Sequence, residues 1–168
     1  MADRLRLELG DGAAVEWEVG ELMRAADAAD PQAPPAWELA GEPDWAEIGT
    51  LRLIVGAIGE QALAIAVSRP ADSSDHGGDG VAVALIDAEG AEGADEALLS
   101  TEYDPDGALR RLGIELWLQS GAGMRVAADR AGDPATGVAG ELHRAVTPLA
   151  IRMDGERGRG LHELIRLN

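Results

Sequence analysis

The chain contains no cysteine, no lysine and no phenylalanine. The lack of cysteine excludes a disulfide framework, a thiolate nucleophile and cysteine-ligated metal centres. All fourteen basic residues are therefore arginine, as a GC-rich genome would produce, although adaptation to concentrated salt would give the same lysine-free acidic surface. No run approaches the roughly 20 apolar residues of a membrane span, and the first residues lack the apolar stretch of a signal peptide. These absences predict a cytoplasmic protein without a membrane span.

The charge is strongly acidic and unevenly distributed. The 168 residues predict a single domain over residues 1–168, and their 31 acidic and 14 basic side chains give a net charge of −17. Such a charge repels phosphate backbones, so we expect no nucleic-acid partner. Residues 1–105 carry 23 acidic and 5 basic side chains, whereas residues 106–168 carry 8 and 9. The C-terminal arginines either pair with carboxylates across a sheet or face an anionic group.

Alternating apolar and polar residues predict a mainly β protein. Two hairpins are indicated first, at residues 5–19 and 50–67, and the strands expected after them are Val81–Ile86, Leu98–Tyr103, Ile114–Gln119, Met124–Asp129, Leu149–Asp154 and Leu161–Leu167. Residues 21–47 are expected to form a helix or loop excursion, residues 69–80 a flexible loop, and residues 132–140 a loop followed by a helical turn near residues 141–144. About nine or ten short strands with one or two short helices are typical of an antiparallel barrel or sandwich.

The last four expected strands have two contrasting faces. One face is aliphatic and the other mixes charges of both signs with an indole ring; the second comprises Glu115, Trp117, Arg125, Asp129, Arg152 and Asp154. This mixed face is either solvated and held by cross-strand ion pairs, or it is the wall of a ligand cavity. The sequence does not decide which face points into the barrel.

Three other candidate residues each have more than one interpretation. His76 lies among aspartates in the expected loop, but the spacing is not specific, so we predict no metal site. His162 is a candidate ligand contact or general base, or else a structural histidine. Tyr103, the sole tyrosine, either contacts a ligand or caps a barrel end. We expect the protein to need no cofactor.

Several short motifs carry a resemblance to a known group of proteins. They are residues 103–107 (YDPDG), 113–117 (GIELW), 125–127 (RVA) and 152–155 (RMDG), followed by Gly158, Gly160 and Glu163. Together they resemble the C-terminal part of a lipocalin-like group that includes carotenoid hydratase-like and tocopherol cyclase-like proteins and many bacterial members. The resemblance covers about residues 50–168 and implies an antiparallel barrel and an apolar, isoprenoid- or steroid-like ligand. Members usually have two consecutive β-domains, whereas this chain is expected to form one.

Two functional hypotheses follow. In the first, a barrel cavity binds a small hydrophobic molecule, isoprenoid-, steroid- or polyketide-like, with acid-catalysed isomerisation, cyclisation or hydration as the possible chemistry. Its site comprises Glu115 and Asp129 as acids, Arg125 and Arg152 as polar anchors, and Trp17, Trp45, Tyr103, Trp117 and His162 as further ligand contacts. In the second, the chain is a non-catalytic assembly module, and the acidic N-terminal region of one copy meets the C-terminal arginines of another in a homodimer.

Overall fold

The computed structural model of the protein describes residues 4–10, 12–71, 80–105 and 108–167. Strands account for 70% of the described residues. In chain order the elements are β1 (Arg4–Gly10), β2 (Ala13–Glu18), α1 (Val19–Ala28), β3 (Trp37–Ala40), β4 (Ile48–Ile58), β5 (Gln61–Pro70), β6 (Gly80–Asp87), β7 (Gly90–Tyr103), β8 (Leu109–Leu118), β9 (Gly123–Arg130), β10 (Ala135–Ala139), β11 (Leu142–Met153) and β12 (Glu156–Leu167). The mainly β prediction is confirmed.

Eight of the strands close into an antiparallel barrel. The hydrogen-bonded order runs β11-β12-β4-β5-β6-β7-β8-β9, and β9 then pairs with β11 to complete the ring. Along one edge of β11, β10 pairs with Leu142–Val146 and β9 pairs with Leu149–Met153. Closure pairs most strand edges, but β6 and β7 pair only through Ala84–Asp87 and Gly90–Gly93, and β10 extends the sheet along β11.

The aliphatic face of the C-terminal strands points inward. Its members pack with inward side chains of β4, β5 and β6 into one buried cluster: Ile54, Ile58, Leu63, Ile65, Val67, Val83, Leu85, Leu109, Leu112, Ile114, Leu116, Leu118, Val126, Ala128, Leu149, Ile151 and Met153. Burying these side chains removes apolar surface from water and leaves the charged face outside. Barrel closure thus determines which of the two faces points inward, a choice that the sequence left open.

A second layer covers one outer wall of the barrel. Strands β1, β2 and β3 form a separate three-stranded sheet, which packs with α1 over outward side chains of β4, β5 and β12. The helix buries Val19, Leu22 and Ala26, and its C-cap residue is Ala29, whose backbone is left-handed (φ 48°). These outward strand positions are buried like the inward ones, so β4 and β5 are apolar on both faces.

Two local predictions were wrong. Residues 141–144 do not form a helical turn, because β11 begins at Leu142 and pairs with β10 and β12 there. The expected loop over residues 132–140 contains strand β10. The excursion at residues 21–47 contains the end of α1 and strand β3, and residues 72–79 of the expected flexible loop, with His76, lie outside the described residues. Within the described chain, no helix has the length and apolar character to cross a membrane.

Candidate functional site

Six polar side chains line one end of the barrel interior, and we call this group the barrel mouth: Thr50, Arg52, Arg69, Thr101, Tyr103 and His162. Directly paired residues of antiparallel strands point to the same face of the sheet. Arg52 pairs with Val67 and His162 pairs with Ile54, and both partners belong to the interior cluster. Arg52 and His162 are therefore directed into the barrel, and they are only 6% and 3% exposed.

The remaining mouth residues lie at the same end on the same inward face. Thr101 pairs with an interior leucine of β8, and so does Tyr103. Thr50 pairs with Arg69 one step further out from Arg52. The mouth thus draws on β4, β5, β7 and β12, and it lies where β4 begins and β5 ends. Thr147, which pairs with His162, and Arg130, which pairs with the interior Leu149, are further polar side chains on the inward face at this end. The interior cluster itself is apolar.

Side chains of the mouth have buried polar atoms without hydrogen-bond partners. Among the described residues, six buried side-chain polar atoms lack a partner, and all belong to the mouth: Thr50 Oγ1, Arg52 Nε, Arg52 Nη1, Arg69 Nε, Thr101 Oγ1 and His162 Nε2. Buried polar groups in folded proteins are usually hydrogen-bonded, since an unpaired group pays its full desolvation cost. Their convergence on one end of one barrel marks that end as the candidate site.

Arg52 reaches across the mouth from its own strand. Its Cζ atom lies 5.5 Å from the ring centroid of Tyr103, and two strands, β5 and β6, separate β4 from β7 in the sheet. This distance permits a cation–π interaction, which stabilises the guanidinium charge. The Nε and Nη1 atoms of Arg52 have no hydrogen-bond acceptor among the described residues in this position.

His162 is neutral at physiological pH. Burial, and then the positive charge of Arg52, lower the pKa of His162 to about 3. A neutral imidazole has one N–H donor and one acceptor nitrogen, so Nε2 can donate or accept a hydrogen bond according to the tautomer. The sequence nominated His162 as a ligand contact, and the structure places it beside Arg52 in the mouth; its role stays a prediction.

The outer-face candidates form a separate group. Glu115, Trp117 and Arg125 line an open groove of about 410 Å³ on the outside of β8 and β9. Nη2 of Arg125 lies 3.2 Å from Oε1 of Glu115, and the arginine side chain is 86% exposed. An ion pair so exposed contributes little to stability.

Asp129 and Arg152 also lie on the outer face. Asp129 accepts hydrogen bonds from Arg111 Nε at 2.9 Å and from Arg152 Nη2 at 3.3 Å. The cavity hypothesis required Glu115 and Asp129 to line the interior among tryptophans, and the structure instead places both carboxylates outside, next to arginines. A catalytic role for them would have to operate at the outer surface, and it remains a prediction.

Trp17 and Trp45, which were predicted to contact a ligand, do not line the barrel mouth either. Trp17 is buried in the layer between the three-stranded sheet and the barrel, and Trp45 packs against the edge of the same layer. A pocket of only about 20 Å³ lies between this layer and the barrel, room for about one water molecule. Its polar groups are satisfied, since Glu163 Oε2 accepts from Trp37 Nε1 at 2.7 Å and from Arg144 Nε at 3.2 Å. These hydrogen bonds join the two layers of the structure.

Sequence reasoning missed four of the six mouth residues, which are Thr50, Arg52, Arg69 and Thr101. The available signal was Arg52 itself, the single charged residue in the most apolar expected strand, residues 50–58. A charged side chain is rarely placed in a buried strand without a partner. Arg69 was assigned to the expected loop over residues 69–80, and Thr101 lay beside polar residues in the expected strand Leu98–Tyr103, so neither carried a comparable signal.

The closed barrel is a lipocalin-like fold. The crystal structure of kievitone hydratase from Nectria haematococca is similar to this chain, with a TM-score of 0.51 and 11% sequence identity, over 79% of this chain and 45% of that chain. The chain thus matches less than half of the hydratase, and at this identity the likeness shows the fold alone. No family model and no curated protein matches the sequence.

Proposed function

We propose that the protein binds a small molecule with an apolar body at the barrel mouth. The observation that carries the proposal is the convergence there of six buried polar atoms without partners. A few polar groups at an otherwise apolar site are the usual means by which proteins orient small ligands. The body of an isoprenoid-, steroid- or polyketide-like molecule would contact Tyr103 and Val81, which are 39% and 38% exposed at inward-directed positions.

The proposal concerns binding rather than catalysis. Acid-catalysed hydration or cyclisation would require a proton donor beside the ligand, and the two nominated acids lie on the outer face. Asp104, which directly follows Tyr103, is already 3.1 Å from Arg130 Nη2 through its Oδ2 atom. The likeness to a hydratase supports a barrel that handles small molecules, but it identifies no reaction for this chain.

The assembly hypothesis receives less support from the ion pairs. Some of the outer-face arginines that were expected to face a partner already pair with carboxylates of the same chain, such as Arg111 and Arg152 with Asp129. Arg157, Arg159 and Arg166 are exposed and form no ion pair with a described carboxylate, so only part of this charge is compensated. Homodimer formation stays a prediction that the oligomeric state in solution would test.

An NMR titration of the 15N-labelled protein tests the binding proposal. The probes are two matched pairs, farnesol with farnesoate and 1-naphthylmethanol with 1-naphthoate, added at constant pH and ionic strength. We expect at least one probe to give saturable amide shifts centred on Arg52, Thr101 and His162. Shifts confined to the groove at Trp117, or no saturable shifts with any probe, would contradict the proposal.

A further inference from the structure

We infer that the barrel mouth selects ligands that carry a carboxylate on their apolar body, and that Arg52 is the anchor for this group. The inference rests on the proposed function and names the class of ligand that the same site takes. Three features of the mouth carry it: N–H donors without acceptors, two neighbouring positive charges, and, among the described residues around Arg52, side chains without a negative charge.

The first feature is a set of donors without acceptors. Nε of Arg52 carries one N–H group and Nη1 carries two, and Nε of Arg69 adds a fourth. None of these nitrogens has a hydrogen-bond acceptor within the described structure. A guanidinium presents its donors in a planar fork that matches a carboxylate, so an acidic ligand group would satisfy several of them at once.

The second feature is the placement of the two arginines. Arg52 pairs with Val67, and Arg69 follows Val67 by two residues on the same inward face. Diagonal cross-strand neighbours of like charge repel each other, and a buried charge is costly unless it is paired. Neither arginine forms an ion pair with a described carboxylate, in contrast to Arg111, Arg125 and Arg152 on the outer face.

The third feature is the character of the groups around Arg52. His162 is neutral, Thr101 offers a hydroxyl, and Tyr103 offers its ring. These groups can orient a ligand, but none of them neutralises a cation. A ligand carboxylate would supply the missing charge, and the unpaired His162 Nε2 and Thr101 Oγ1 could bond its oxygens or a neighbouring hydroxyl.

The matched probes test the inference on the unaltered protein. We expect 1-naphthoate to bind roughly 10- to 100-fold more tightly than 1-naphthylmethanol, the range for charge-assisted hydrogen bonds. If the alcohol binds at the mouth as tightly as the acid, the inference falls while the proposed function stands. If neither binds, both fall. If inorganic phosphate binds as tightly as 1-naphthoate, the apolar body of the ligand does not contribute to recognition, and that part of the inference falls.

Substitution of the anchor separates it from general charge effects. Arg52→Gln should weaken 1-naphthoate binding at least tenfold and change the affinity for 1-naphthylmethanol less than threefold. Arg152→Gln removes the same charge from the outer face and should leave both affinities unchanged. Equal effects of the two substitutions would reduce the role of Arg52 to net charge and overturn its assignment as anchor.

Thermal unfolding distinguishes a binding role of Arg52 from a structural role. Without ligand, no described carboxylate compensates the buried cation, so Arg52→Met should keep or raise the midpoint of thermal unfolding. With saturating 1-naphthoate, the midpoint of the wild type should rise and that of the variant should not. A large fall in the midpoint of ligand-free Arg52→Met would show that Arg52 supports the fold, and it would contradict the inference.

Discussion

Lowering the pH from 7 to 5 should destabilise the protein through His162. Burial and the charge of Arg52 lower the pKa of this histidine to about 3 in the folded chain, whereas an exposed histidine in an unfolded chain titrates near 6.5. Between these two values the unfolded chain binds a proton that the folded chain does not bind. The free energy of unfolding therefore falls as the pH falls through this window.

The expected size follows from the two pKa values. At pH 7 the unfolded histidine is mostly neutral and the penalty is small, whereas at pH 5 the loss amounts to about 2 kcal/mol relative to pH 7, with a slope approaching about 1.4 kcal/mol per pH unit. Glu16, whose pKa is lowered by hydrogen bonds from Arg4 and Arg6, acts in the same direction only below its ordinary value of 4.5. Measurements between pH 7 and 5 thus isolate the contribution of histidine to the free energy of unfolding.

Urea unfolding at several pH values, with buffers of constant ionic strength, measures this slope. His162→Gln should lose about 2 kcal/mol less than the wild type between pH 7 and 5, whatever its stability at pH 7. His143→Gln is the matched control, because it also removes one histidine, but from an exposed position outside the barrel mouth. An unchanged slope in His162→Gln would refute the argument that His162 is buried and neutral.

Three further predictions concern the packing. Glu163→Leu should cost about 3–5 kcal/mol because it leaves the buried Arg144 unpaired, and adding Arg144→Leu should recover part of this loss in urea unfolding. Gly160→Ala should destabilise by about 1–3 kcal/mol, since its Cβ would strike the facing β4 backbone, whereas Gly137→Ala, with open space around it, should stay within about 0.5 kcal/mol by thermal unfolding. Leu116→Ala in the barrel interior should cost about 2–5 kcal/mol by denaturant unfolding, and a smaller loss would contradict a packed interior.

Most of the fold could be predicted because strand periodicity is local. The alternation of Ile114, Leu116 and Leu118 with polar neighbours identified a strand and its two faces before any partner was known. The glycine turn at Gly59 likewise marked the hairpin of β4 and β5, and this glycine has a left-handed backbone (φ 60°). Strand β10 was missed because Ala135–Ala139 is short, mostly exposed and without alternation.

The candidate site was harder to predict than the fold. Glu115, Asp129 and Arg125 were nominated because charged residues on a sheet face could line a cavity, and barrel closure turned that face outward. Arg52 lay in the expected hairpin of residues 50–67, in which no candidate site residue was nominated. Only its pairing with Val67, and its distance of 5.5 Å from Tyr103, show that a buried cation stands at the barrel mouth.

The sequence by itself determined which residues share a face, where the chain turns, and that the chain is acidic and lacks cysteine. These properties depend on the two-residue period of a strand, on turn chemistry and on composition. The tertiary structure decided which face is enclosed, because the pairing of β12 with β4 joins segments far apart in the chain and the pairing of β9 with β11 completes the ring. That closure also brings β4, β5, β7 and β12 to one mouth, where Arg52, Thr101 and His162 converge from positions far apart in the chain.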